Sequence, residues 1–140
     1  MSDFQLVEEH DYWLLPLKGR SVTQCCIDYA FTIYLVERDA TFSLRIEQLF
    51  VLHQANADAV TLHPGENAVA LAPSLAMFGL TVERGVAYKD GRLEVCFTDG
   101  SSIRVDACHD FEPWEYAGPA GSRVVSMPGG NLAIWLAEGG

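Results

Sequence analysis

The sequence predicts a mainly β protein: about seven or eight mostly antiparallel strands in a curled meander sheet, a half-barrel or small sandwich, with one short helix near residues 66–78. Three observations predict it. Apolar and polar residues alternate with period two across 31–46 and 80–107, as in strands with one buried face. Asp-Gly pairs at Asp90–Gly91 and Asp99–Gly100 punctuate the second region as hairpin turns do. Only "HPGENAVALAPSLAMFG" is rich enough in Ala and Leu to favour a helix.

The elements follow in order. "RSVTQCCIDYA" supplies an early strand. In "FTIYLVERDATFSLRIEQLFVL", Phe31, Ile33 and Leu35 alternate with polar residues, as do Phe42, Leu44 and Ile46. A two-residue turn at Asp39–Ala40 sets Leu35 opposite Leu44 and Ile33 opposite Ile46, so the apolar faces coincide. Pro73 starts a helix better than it sits inside one, so the helix either runs from about 73 to 78 or is longer and kinked, and Gly79 closes it. Its Leu71, Leu75 and Phe78 then cover one end of the sheet.

A two-residue turn at Asp90–Gly91 aligns Tyr88 with Leu93 and Val86 with Val95. At Asp99–Gly100 the same turn would bury Ser102 and Arg104, so a three-residue loop with a glycine bulge is predicted there, joining Val95 and Leu93 to Ile103 and Val105. Val86, Leu93, Val95, Phe97, Ile103 and Val105 face the core. "SRVVSM" and "NLAIWL" make a last hairpin around a Pro-Gly-Gly turn.

Length and composition bound the rest. At 140 residues, 49% hydrophobic and 20% charged, the chain reads as one globular domain, 1–140, burying roughly two-thirds of its unfolded surface. No apolar run reaches the roughly 18–20 residues of a membrane span. The start, "MSDFQLVEEHDYW", lacks the basic and apolar regions of a signal peptide, and a cytoplasmic location is expected. Nine Lys and Arg against 19 Asp and Glu give a formal charge of −10. Such a surface repels nucleic-acid phosphates; it suits a basic protein partner, or serves solubility alone.

The cysteines do not form a disulfide framework. Cys25 and Cys26 are neighbours on a strand and point to opposite faces. The predicted register parts Cys96 from Cys108 by about four residues, roughly 13 Å, against a Cα limit near 7 Å. Reduced thiols fit a cytoplasmic protein.

The most crowded stretch is "HDFEPWEYAGPAGSRVVSMPGG", residues 109–130. His109, Glu112 and Glu115, with Asp110, are its candidates for acid–base chemistry. No metal site is expected, because no second group of His or Cys at zinc spacing accompanies them. As a corner, the stretch uses Pro113 to set the backbone and Phe111 and Trp114 to plug the end of the sheet, leaving Glu112 and Glu115 solvated. As a recognition surface, it offers Trp114 and Tyr116 as aromatic anchors beside Glu112 and Glu115. "SMPGG" lacks the lysine and following helix of a phosphate loop, and no serine has a nucleophile-elbow setting. No cofactor is indicated.

The order "FTDG", "EPWEYAGP", "PGGNLAIW" (F-x-D-G, E-x-W-x-x-x-G-P, P-G-G-x-L-A-x-W) resembles a family of small bacterial, mainly actinobacterial, single-domain proteins of unknown function. The resemblance covers about residues 18–136. It implies a stand-alone intracellular domain and brings no activity, cofactor or catalytic residue with it. Small acidic proteins of this kind are often immunity proteins, an analogy only.

Two functions therefore stand as expectations. One is a non-enzymatic binding protein, an immunity or inhibitor protein acting on a basic partner. The other is a small β-barrel-like enzyme or small-molecule binder with a pocket near His109, Glu112 and Glu115. An enclosed pocket lined by those side chains favours the second. A filled interior and an exposed acidic face favour the first.

Overall fold

In the computed structural model, which describes residues 4–138, thirteen antiparallel strands, numbered along the chain, form two open sheets. The seven-stranded sheet runs β1 (Val7–Glu8), β2 (Tyr12–Leu15), β8 (Val82–Tyr88), β9 (Leu93–Phe97), β10 (Ser102–Val105), β6 (Phe50–His53), β7 (Val60–Leu62). The six-stranded sheet runs β13 (Leu132–Trp135), β12 (Arg123–Ser126), β11 (Trp114–Ala117), β5 (Ala40–Ile46), β4 (Phe31–Glu37), β3 (Gln24–Ile27). The mainly β class and the sandwich option are therefore correct, with more strands than the seven or eight expected. Meander order holds within β3–β4–β5, β8–β9–β10 and β11–β12–β13. Long-range pairs join β2 to β8, β6 to β10 and β5 to β11. Each such pair extends a hairpin's exposed backbone edge with a distant strand.

The inner faces of the two sheets share one core, in which Phe31 of β4 stacks on Phe50 of β6 with ring centroids 5.5 Å apart. The β4–β5 hairpin pairs Phe31 with Ile46, Ile33 with Leu44 and Leu35 with Phe42. Its turn is Arg38–Asp39, not Asp39–Ala40, and Arg38 takes a left-handed φ of 51°. Ala40 is buried and pairs with Glu37. The register moves by two residues, which leaves every side chain on its expected face.

The β9–β10 loop has the bulged form expected. Phe97 N donates to Ser101 O at 2.8 Å, Gly100 has φ +94°, and Val95 and Leu93 pair with Ile103 and Val105. The β8–β9 loop is of the same kind and departs from the two-residue expectation. Tyr88 N donates to Arg92 O, and Ala87, not Tyr88, lies opposite Leu93. That one-residue change turns Gly85 and Ala87 inward and Val86 outward. Val86 is still buried, on the outer face in the row between Leu14 and Glu94. A small residue is required inside, since a Cβ on Gly85 would come within 3.0 Å of the Leu17 side chain.

The predicted helix is a 3-10 helix over Ala68–Met77, capped by the Asn67 side chain and holding Pro73 within it. Three residues per turn place Leu71, Ser74 and Met77 on the buried side. Leu75 and Phe78, expected to cover the sheet by α-helical spacing, are 47% and 64% exposed.

Two glycines fix how the sheets meet. Gly91 of the β8–β9 turn touches Gly130 of the β12–β13 turn, and a Cβ on Gly91 would lie 2.7 Å from the Gly130 backbone. Gly91 also has φ +101°. Gly91→Ala should therefore cost about 3 kcal/mol, combining left-handed strain with overpacking. A denaturant melt measures it, and a loss under ~1 kcal/mol would mean the two turns move apart freely.

Candidate functional site

The corner joins β10 to β11 as Asp106–Pro113, crossing from an interior strand of one sheet to an interior strand of the other. Three backbone contacts pin it. Gln48 Nε2 donates to Asp106 O at 2.5 Å, Gly129 N to Cys108 O at 2.8 Å, and Glu47 N to Pro113 O at 2.8 Å. With both ends anchored, the middle stands out: His109, Asp110, Phe111 and Glu112 are exposed.

From Pro113 the chain enters β11, and strand alternation decides what each side chain does. Trp114 and Tyr116 point inward and are fully buried. The Trp114 indole Nε1 donates to Gly91 O at 2.8 Å, and Ser126 Oγ donates to the same carbonyl at 2.9 Å. Trp114 is thus the plug that the corner reading expected, and it is tied to the opposite sheet. Phe111, expected to plug beside it, is 45% exposed. It precedes Pro113 on the outward bend and cannot reach the interior. The anchors offered for recognition, Trp114 and Tyr116, lie inside the folded domain and present no surface to a partner.

The Tyr116 hydroxyl is buried without a hydrogen-bond partner of good geometry among the described residues. The neighbouring Ser122 hydroxyl donates instead to Pro119 O at 2.9 Å. Burial pushes the Tyr116 hydroxyl up to about 12, against smaller opposing effects of Ser122 and Arg20. The phenol therefore holds its proton more tightly than an exposed tyrosine.

Outward from β11, Glu115 holds Arg123 at 2.5 Å. The Glu115 hydrogen bond and charge, aided by Glu112, keep the Arg123 guanidinium above its usual value. Arg123 in turn lies 5.1 Å over the Trp135 ring. Glu47, Phe111, Glu112 and Pro128 line an open depression of about 310 Å³. His109 and Glu115 do not line it, so the three acid–base candidates do not converge on one cavity. Among the described residues no group of three or more His, Cys, Asp or Glu is placed to hold a metal ion.

The arrangement is an acidic lip. Asp106, Asp110 and Glu112 carry no ion pair among the described residues, and Glu47 adds a fourth carboxylate, shared with Arg45. Alternation in "PWEYA" was the signal that could have separated Trp114 and Tyr116 from Glu115 in the sequence. It is hidden by the turn residues on both sides.

All four cysteines are free. Cys96 sits opposite Ser102, which puts Cys108 beyond the end of β10. Burial, then the charge of Cys26, raises the Cys25 thiol; burial and Glu94 raise that of Cys96. Both shifts run against thiolate formation. No described helix is long and apolar enough to cross a membrane.

No curated protein and no solved structure matches the chain. Residues 13–136 do match the model of a family of unknown function, DUF6188. That span takes in both sheets from β2 to β13, the acidic lip and the plug beneath it, and the chain belongs to this family.

Proposed function

We propose that this is a non-enzymatic intracellular binding protein that meets a basic protein partner through the lip Asp106–Glu112, as an immunity or inhibitor protein does. One observation carries the reading: the exposed Phe111 is flanked in the chain by Asp110 and Glu112, which have no ion-pair partner among the described residues, on a backbone pinned at both ends. Unpaired charge steers a basic partner and selects it, while a rigid aromatic supplies the anchor. A pinned loop also loses little conformational entropy on binding. The interior beneath is occupied by the buried Trp114 and Tyr116, which favours contact at the surface over chemistry within. Four free thiols suit a reducing compartment.

Pull-down from native lysate with mass spectrometry tests the reading, comparing wild type with Glu112→Gln/Glu115→Gln and with Phe111→Ala. A basic protein should be captured, and its capture should weaken with salt and with charge removal. Phe111→Ala should lower affinity by about 2 kcal/mol, near thirtyfold. All variants should keep the wild-type fold, since exposed ion pairs contribute under about 1 kcal/mol. Equal capture by wild type and both variants would sink the proposal.

A further inference from the structure

The four sheet edges are protected unequally. β1 has two residues and β7 three, too short to template pairing. β3 lies against the 3-10 helix. Among the described residues β13 has no such protection: its strand neighbour there is β12 alone, and its sequence is Leu-Ala-Ile-Trp. Trp135 and Leu136 are 47% and 56% exposed. No charged residue stands between Arg123 and Glu138, on a chain of formal charge −10.

The ladder shows which backbone groups are free. Met127 N donates to Asn131 O at 2.7 Å, closing the turn as a hydrogen-bonded pair. Antiparallel alternation then directs the N–H and C=O of Ala133 and Trp135 toward β12. Those of Leu132 and Ile134 point out from the open edge.

We propose that β13 is the contact through which two copies of this chain associate, antiparallel about a two-fold axis with Ile134 opposite Ile134. A strand paired antiparallel with itself is self-complementary, as a two-fold interface requires. In this register Trp135 of one copy sits beside Ala133 of the other, a large side chain against a small one on the outer face. Leu136 meets Leu132 on the inner side, and the two six-stranded sheets become one. Charge selects this approach. Docking by the lip or the acid-bearing turns would set carboxylates against carboxylates, whereas β13 brings none together before Glu138.

Sedimentation equilibrium over a range of protein and salt concentrations tests it. A concentration-dependent dimer is expected, and added salt should tighten it by screening two bodies of like charge. Ile134→Pro removes an N–H that β12 does not use, a position where an edge strand accepts proline. Ala133→Glu puts a carboxylate on the contact without entering the core. Each should weaken the dimer by about tenfold or more, with a wild-type circular dichroism spectrum for Ala133→Glu. A monomeric wild type would assign the edge to a segment of some other protein and overturn the proposal. So would a dimer that survives both substitutions, or one that salt dissociates.

Discussion

Val95→Asp is expected to abolish folding at neutral pH. Val95 is fully buried at the centre of β9, with Gly85 on one side and Ile103 on the other. Its strand neighbours and the core cluster it belongs to are apolar, so a carboxylate there is desolvated. The cost, about 5 kcal/mol, matches the whole stability of a marginal domain. Burial raises the folded-state pKa of such a carboxyl above its unfolded value of ~3.9. The penalty is therefore full only above the folded value and shrinks as pH falls from it toward the unfolded one. Val95→Asn should show no such pH dependence. Thermal melts of both variants check this, and a Val95→Asp protein that melts like wild type would show that β9 faces the other way.

How much of this was legible depended on whether one face of a segment was buried or two. β5, β9 and β10 bury one face, and β4 adds only the polar Thr32 on the other, so period two identified their inner residues, and Gly100 marked the bulge between β9 and β10. β8 buries Gly85, Val86 and Ala87 in succession. Alternation vanishes there, and the one-residue error at Asp90–Gly91 followed. The 3-10 helix failed differently: its period is three, and α-helical spacing selected Leu75 and Phe78 where Ser74 and Met77 are buried. Long-range pairs such as β6 with β10 leave no local pattern, since nothing in "FVLH" names its partner. At the lip the acids were legible as a cluster. That Phe111 stays outside while Trp114 goes in was not, because it turns on where β11 begins.

Trp114→Ala should lower stability by roughly 3 to 5 kcal/mol, the range for emptying a large aromatic site. Trp114 is 1% exposed, and its indole ties β11 of one sheet to the Gly91 carbonyl of the other. Truncation removes both the volume and that link, at the point where Gly91 touches Gly130. Trp114→Phe separates the two contributions. It keeps most of the ring and drops the donor, while Ser126 Oγ still reaches Gly91 O. The loss should then be about 1 to 2 kcal/mol, that of one hydrogen bond and some packing. Phe111→Ala, three residues earlier and exposed, should change stability by no more than about 0.5 kcal/mol. The three denaturant melts rank plug, link and lip on one scale. A Trp114→Ala loss below about 1 kcal/mol would mean that the corner is held by its backbone contacts alone, with the indole free to serve the surface.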